Sequence, residues 1–393
     1  MKKKLLFVMN NLNCGGAEKS LISLLQAIDY SRCEVDLLLF KREGMFMDKV
    51  PEQVRVLAEP SGYTYFDMPV GKALAGTIRK GRIDIAWSRL RAGLVFRRES
   101  NRSRCEQRVW KYIGRSMTGL SKEYDAAIGY LEKSPVYYVI DKVKARTKIG
   151  FIHNDYDKLG MDPGIDLGYF KALDYIATVS EECVNILADR FPMYRDKIVL
   201  MHNIVSPAAV LSMAQDNAPT PGKGVTIVSV GRLNYQKGFE LAVEACELLV
   251  KDGFDIRWYI VGEGEERGRL EQSIKERQLQ DSVILTGLLE NPYPYIKTCD
   301  IYVQTSFFEG RCLTVTEAKI LHKPIVSTNF KVIYDQLTDG HNGLIVEQNA
   351  ASVYQGVKKL INSETLRRHL TDNLRQETLG TEHEIHKLYQ WIS

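Results

Sequence analysis

Two short stretches in the second half of the chain combine residue types able to handle phosphate and sugar groups. The first, residues 231–238, reads Gly-Arg-Leu-Asn-Tyr-Gln-Lys-Gly and follows an apolar run. It sets Arg232 and Lys237 five residues apart on one turn leading into a helix. Two cations at a strand end suit a diphosphate, because they neutralise the charge that grows as a phosphate leaves. The plainer alternative is an ordinary polar loop. The second stretch, residues 306–318, contains Glu309 in a loop and Glu317 about one turn inside the next helix. A helix starting near Cys312 or Leu313 would aim free N–H groups at a phosphate, with the two carboxylates flanking it. One could accept hydrogen bonds from ribose hydroxyls and the other could reach a sugar. The plainer alternative here is two solvated glutamates.

These residues need a scaffold that brings loops together at one sheet edge. Apolar runs at residues 4–9, 34–40, 54–57, 124–129, 147–152, 175–179 and 198–201 read as strands, and residues 17–28 and 181–190 have helical spacing. After residue 224 the alternation restarts, with strands at 225–230, 256–261, 283–286, 301–304 and 324–327. Helices are expected over 238–250, 265–277, 313–321 and 351–360. Short apolar runs alternating with helices predict βαβ units and parallel sheets covered on both faces. The expected organisation is therefore two domains, residues 1–205 and 225–376, joined by a Pro- and Gly-containing linker at 206–224. Residues 377–393 read as an amphipathic helix returning to the first domain. In open α/β sheets ligands sit at the carboxyl ends of strands, where both charged stretches fall.

Together the stretches resemble the GT4 family of retaining glycosyltransferases, which have the two-domain GT-B fold. The resemblance is most specific between Gly231 and Glu317, where a G-R-L-x-x-x-K-G pattern and two glutamates with seven residues between them occur in order. Residues 13–19 (NCGGAEK) look like the family's N-terminal glycine loop, and residues 152–155 (IHND) like its histidine loop. Residues 262–264 (GEG) match its G-x-G turn, and Thr286-Gly287 the strand end near the nucleobase. The resemblance implies two Rossmann-like doubly wound domains facing a cleft. It implies that Arg232 and Lys237 bind the donor diphosphate, that Glu309 contacts the transferred sugar and that Glu317 holds the ribose hydroxyls. Backbone amides around Gly310, Cys312 and Leu313 would hold the distal phosphate, and Gly262 and Gly287 would line the donor site. His153 would lie near the reacting sugar carbon, with Gly15 and Gly16 approaching the phosphates. His153, Glu309, Arg232 and Lys237 form the expected catalytic set. Many relatives have Phe-Gly or a proline where this chain has Arg311-Cys312, so Arg311 either contacts a substrate or points to solvent.

The implied activity is metal-independent, retaining transfer of a hexose-type sugar from a UDP or GDP donor. The acceptor would be a glycan or a polyprenyl-linked glycan of a cell-surface polysaccharide, and no cofactor is expected. Two other readings stay open: a non-catalytic sugar-nucleotide-binding partner subunit, and an enzyme of another kind on this fold, a nucleotide-sugar epimerase or a phosphorylase.

Composition narrows the setting. The chain has 393 residues, 45% hydrophobic and 26% charged, as expected of a globular protein with two cores. Its seven cysteines are scattered and never form CxxC, which argues against a disulfide framework or zinc site and for a reducing compartment. The apolar run after Lys2-Lys3-Lys4 is too short for a signal peptide, so no export is expected. The net charge of +4 divides into 33 Lys/Arg against 25 Asp/Glu before residue 206, and 20 against 24 after it. Residues 79–115 alone hold twelve basic side chains against Asp84, Glu99 and Glu106. This stretch, with Leu90, Leu94, Val95, Phe96, Val109, Trp110 and Ile113 interleaved, reads as a solvated helical face or as a peripheral surface for anionic membrane. It lacks a nucleic-acid-binding motif, and no nucleic acid partner is expected. The expected location is the cytoplasm, either free or on the inner face of the cell membrane.

Overall fold

The computed structural model describes residues 2–13, 15–216 and 224–393. They form two units, Met1–His202 with His383–Ser393, and Asn203–Glu382.

The first unit is built on a parallel seven-stranded sheet. Its strands are β1 (Lys3–Met9), β2 (Cys33–Leu39), β3 (Val54–Val56), β4 (Glu123–Gly129), β5 (Lys144–Ile152), β6 (Tyr175–Thr178) and β7 (Ile198–Leu200). Their spatial order is β3-β2-β1-β4-β5-β6-β7, with Leu5 paired to Val35 on one side and Ala126 on the other. Residues Leu5 to Met9 are fully buried, as a central strand covered by helices on both faces requires. The helix Ile385–Trp391 belongs to this unit. The Asp29 backbone N–H donates to the Tyr389 hydroxyl at 2.7 Å, and Trp391 stacks on Tyr175 at 5.5 Å.

The second unit has a parallel six-stranded sheet. Its strands are β8 (Val225–Val230), β9 (Ile256–Val261), β10 (Val283–Gly287), β11 (Ile301–Gln304), β12 (Ile325–Thr328) and β13 (Leu344–Val346). They lie in the order β10-β9-β8-β11-β12-β13. The helix Phe239–Lys251 buries Phe239, Ala242, Val243, Ala245, Cys246 and Leu249 in the core beside Trp258. That indole is wholly buried, and its N–H donates to Ser229 Oγ at 3.0 Å, so the ring brings no unsatisfied donor into the core.

In both units consecutive strands proceed outward one way from the centre and then the other. The reversal lies between β1 and β4 in the first unit, and between β8 and β11 in the second. Connections that leave on opposite faces at such a point open a crevice at the carboxyl ends of the two strands. In the second unit the segments that follow those two strands are residues 231–238, the first stretch that the sequence singled out, and 305–312, which holds the start of the second.

Some elements differ from expectation. Residues 207–213, read as the start of the linker, form the helix Pro207–Met213 within the second unit. Pro207 supplies a pre-set first-turn φ, Val210 is buried, and Asn291 Nδ2 donates to the Met213 carbonyl at 2.7 Å. Residues 217–223 of that stretch and Cys14 of the glycine loop lie outside the described residues. Strand β13 and the helix Glu364–Arg375 were not anticipated. The six cysteines described are all free and buried. Among the described residues no helix is long and apolar enough to cross a membrane.

Candidate functional site

The turn after β8 is shaped by its neighbours. Gly238 sits at φ 60° and ψ 32°, and a Cβ there would lie 2.3 Å from the Thr305 carbonyl oxygen. Only glycine takes this left-handed conformation with backbone so close. Gly262, at φ 151°, is equally constrained, since a Cβ would meet the Gly231 carbonyl oxygen at 1.9 Å. Its N–H donates to the Gly287 carbonyl at 3.0 Å, which joins the ends of β9 and β10 beside the turn. Asn234 caps the short turn Tyr235–Lys237 by accepting from the Lys237 N–H at 3.3 Å. The turn is tied to the loop after β11 by backbone and side-chain contacts. Thr305 Oγ1 donates to the Lys237 carbonyl at 2.8 Å, the Phe307 N–H donates to the Gln236 carbonyl at 2.9 Å, and Tyr235 stacks on Phe307 at 5.0 Å.

These ties bring Lys237 onto Glu309. The ammonium donates to Glu309 Oε1 at 2.6 Å, with side chains 16% and 8% exposed. Burial works against the charge on Lys237, but the attraction of Glu309 outweighs it and holds the ammonium pKa above its ordinary value. The same carboxylate accepts from Ser306 Oγ at 2.6 Å and from Gln236 Nε2 at 3.1 Å. Ser306 Oγ in turn accepts from Gln304 Nε2 at 2.7 Å, and Gln304 Oε1 accepts from the Tyr302 hydroxyl at 2.8 Å. A buried relay thus runs from the body of β11 to Glu309 and fixes its orientation. Arg232 lies exposed on the same turn, five residues before Lys237.

The helix Leu313–Ile320 begins immediately beyond, with Cys312 as its N-cap. Gln336 grips this helix start. Its Oε1 accepts from the Cys312 N–H at 2.9 Å, while its Nε2 donates to the Cys312 carbonyl at 2.9 Å and to Thr316 Oγ1 at 3.0 Å. The Cys312 amide, expected from the sequence to meet a phosphate, is therefore already engaged by a side chain. Burial pushes the Cys312 thiol up to about 11, so it remains protonated at neutral pH. Glu317 is 1% exposed, and its Oε1 accepts from the Tyr293 hydroxyl at 3.3 Å. With Glu309 at 8% and Glu317 at 1%, the alternative of two solvated glutamates is excluded.

The structure gathers Arg232, Lys237, Gly262, Gly287, Glu309, Gly310, Cys312, Leu313 and Glu317 in the second unit. Gly15, Gly16 and His153 belong to the first. There, Gly15 in extended conformation caps the helix Gly16–Ala27, which follows β1. His153 follows β5, and its ring packs at 4.8 Å from the Tyr130 ring and 5.5 Å from that of Phe151. The Tyr130 hydroxyl shares a hydrogen bond of 2.8 Å with Ser20, so one tyrosine links His153 to the helix that follows the glycine loop. Among the described residues neither buried imidazole nitrogen of His153 has a hydrogen-bond partner. Burial lowers the ring's pKa to about 3, leaving it neutral at physiological pH. Glu132 accepts from the His153 backbone N–H at 3.1 Å and so anchors the loop.

Ser306, Gln236 and Gln336 are the supporting residues that the sequence did not mark out, while Glu132, which follows a predicted strand, is a candidate outside the expected site. Their types are common in loops, and no spacing pattern marks them. Only the positions of Gln236 within the Arg232–Lys237 turn and of Ser306 at the start of the second stretch could have drawn notice.

Two parallel-sheet α/β units of this kind define the GT-B class of glycosyltransferase folds. The crystal structure of HepE from Anabaena, in complex with UDP and glucose, superposes with a TM-score of 0.70 over 99% of this chain and 98% of that one, at 13% identity. The family model "Glycosyl transferases group 1" matches residues 214–377, and this part of the chain belongs to that family. A Campylobacter jejuni relative is 30% identical over 220 residues, covering 56% of this chain and 59% of that protein. It is described as N-acetylgalactosamine-N,N'-diacetylbacillosaminyl-diphospho-undecaprenol 4-alpha-N-acetylgalactosaminyltransferase. A Staphylococcus aureus relative, poly(ribitol-phosphate) alpha-N-acetylglucosaminyltransferase, is 26% identical over 180 residues, covering 45% of this chain and 36% of that protein. The chain thus spans less than two thirds of the length of either relative in these matches.

Proposed function

We propose that this protein transfers a hexose-type sugar, with retention of configuration, from a nucleotide-diphosphate donor to a glycan or lipid-linked acceptor of a cell-surface polysaccharide. The observation that carries this reading is the Lys237–Glu309 pair, 2.6 Å apart at the strand-order reversal of a group 1 glycosyl transferase domain. It sets an anion-binding cation and a hydroxyl-binding carboxylate side by side, which a sugar attached to a diphosphate requires.

In the proposed reaction Arg232 and Lys237 bind the diphosphate and stabilise the charge that develops on it. Glu309 orients the sugar through its hydroxyls, and Glu317 accepts from the ribose. The bond between the anomeric carbon and the phosphate oxygen breaks. The acceptor oxygen bonds to that carbon from the same face, and its proton passes to the departing phosphate. Alignment and charge stabilisation account for the acceleration. Positive charge from Arg232 and Lys237 is proposed to fill the place of a divalent cation, so chelation should leave turnover unchanged. For His153 the family resemblance implies a place near the reacting sugar carbon. A lipid-linked acceptor would be met at an anionic membrane surface.

Thermal shift against a panel of UDP- and GDP-sugars tests the reading, since a donor at about a hundred times its Kd adds about 2.7 kcal/mol of stability. A shift with one donor, followed by its consumption when acceptor is added, supports the transferase. A shift without consumption identifies a binding subunit, and isomerised donor without acceptor identifies an epimerase. No shift with any nucleotide sugar overturns the proposal.

A further inference from the structure

The basic stretch of the first unit resolves into helices whose apolar sides face different ways. In the helix Ile83–Arg98, residues Ile85, Ala86, Arg89 and Ala92 are buried, with Ile85 and Ala92 in a small core beside Phe66, Cys105 and Val109. Arg89 Nη2 donates to the Met68 carbonyl at 3.1 Å and fastens this side down. Another side of the same helix carries Ile83, Trp87, Leu90 and Leu94, which are 70%, 58%, 43% and 53% exposed. At about 100° per residue these four fall within an arc of about 60°, a strip about 16 Å long. Ile78, at the end of the preceding helix Val70–Arg79, is exposed as well. A continuous apolar strip in water is a mark of an unmet partner.

The charges say which partner. Arg79, Lys80 and Arg82 precede the strip, and Arg91, Arg97 and Arg98 flank it, all exposed. Asp84 is the one acidic residue between positions 70 and 98, and Arg82 holds it at 2.9 Å. The Arg91 guanidinium lies over the Trp87 ring, 5.0 Å from its centroid. By contrast Val109 and Trp110 are buried at 1% and 2%, so the helix Arg102–Ser116 turns its apolar residues inward. The sequence reading of a single interleaved surface over residues 79–115 is corrected accordingly: the outward-facing strip lies on the Ile83–Arg98 helix.

We propose that the Ile83–Arg98 helix docks flat on an anionic bilayer, with Ile83, Trp87, Leu90 and Leu94 among the acyl chains and the flanking arginines at the headgroups. A second copy of the chain would bring the same cations against themselves, whereas acidic headgroups complement them. This deepens the membrane part of the proposed function, and it can fail while donor binding by the second unit stands.

The test is co-sedimentation of the full chain with vesicles of phosphatidylcholine, with and without phosphatidylglycerol, at low and high salt and without donor. Binding should require the anionic lipid, decline with salt and shift Trp87 emission to the blue; Trp110 and Trp258 are buried and should not respond. Joint replacement by Trp87→Ser, Leu90→Ser and Leu94→Ser should weaken partitioning at least about tenfold. Arg97→Gln and Arg98→Gln should each weaken it about fivefold. Far-ultraviolet circular dichroism and the donor thermal shift verify that each variant is folded. Three outcomes overturn the proposal: no association at low salt, equal association of the triple serine variant, or a concentration-dependent dimer that the triple variant abolishes.

Discussion

Replacing Lys237 by methionine isolates the pair on which the proposed site depends. The substitution keeps most of the side-chain volume but leaves Glu309, 8% exposed, with a charge that has lost its cation. Breaking a buried ion pair from one side typically costs about 3–5 kcal/mol. Ser306 and Gln236 remain as donors to the carboxylate, at 2.6 and 3.1 Å, and part of the loss is recovered by them. The expected loss is then about 2–3 kcal/mol, or about 4–10 °C in the melting of a domain of this size. Glu309→Gln introduced with Lys237→Met removes the orphaned charge and should return most of that stability. Turnover behaves differently: Lys237→Met and Arg232→Ala should each lower kcat by about 10²–10³, the loss of one preorganised charge-stabilising group. The double variant should stay inactive while its melting recovers. Calorimetry with single-turnover donor assays reads both quantities. An unchanged melting temperature for Lys237→Met would refute the electrostatic reasoning, and a normal kcat in either cation variant would refute the functional one.

Further expectations concern the supports around the pair and the buried histidine. Gln336→Ala strips partners from the N–H and carbonyl of Cys312 and from Thr316, so urea unfolding should show a loss of about 2–4 kcal/mol, and the donor KM should rise. For His153 the folded pKa of about 3 lies below the ordinary 6.5. As pH falls below 6.5 the unfolded chain takes up a proton that the folded one refuses, so stability declines by about 1.4 kcal/mol per unit until about pH 3. His153→Phe should therefore lose about 2 kcal/mol less than the parent between pH 7 and pH 5, read as the difference in urea midpoints at the two values. Equal losses in both proteins would show that the ring is not the group responsible.

Elements carrying strong periodicity were legible from the chain. Strands Val225–Val230, Ile256–Val261 and Ile301–Gln304 have the bounds expected: Val225–Val230 and Ile301–Gln304 are buried on both faces, and in Ile256–Val261 only Arg257 is exposed. Strand β13 escaped notice because three residues give no period to recognise, and among the described strands it pairs with β12 only. The helix Pro207–Met213 escaped because the prolines around it mark turns as readily as a helix start. At the site, the positions of Arg232, Lys237, Glu309 and Glu317 were legible because phosphate and sugar chemistry limits the residue types. Their mutual contacts were not. That Lys237 meets Glu309, 72 residues away, depends on β8 and β11 being neighbours, which no local pattern encodes. The grip of Gln336 on Cys312 is likewise a tertiary event between common residue types.

In the proposed site the pairing of Lys237 with Glu309 would also act as a selectivity filter. In the resting protein the ammonium already has its counter-ion, so a bare phosphate that draws it away leaves a buried carboxylate without its cation. A ligand that brings both an anion for Lys237 and hydroxyl donors for Glu309 leaves neither group deserted. Free inorganic phosphate should accordingly be a poor competitor, and a nucleoside diphosphate lacking its sugar should bind less well than its charge alone suggests. The pair would thus bias the site towards a complete donor over the fragments left after transfer.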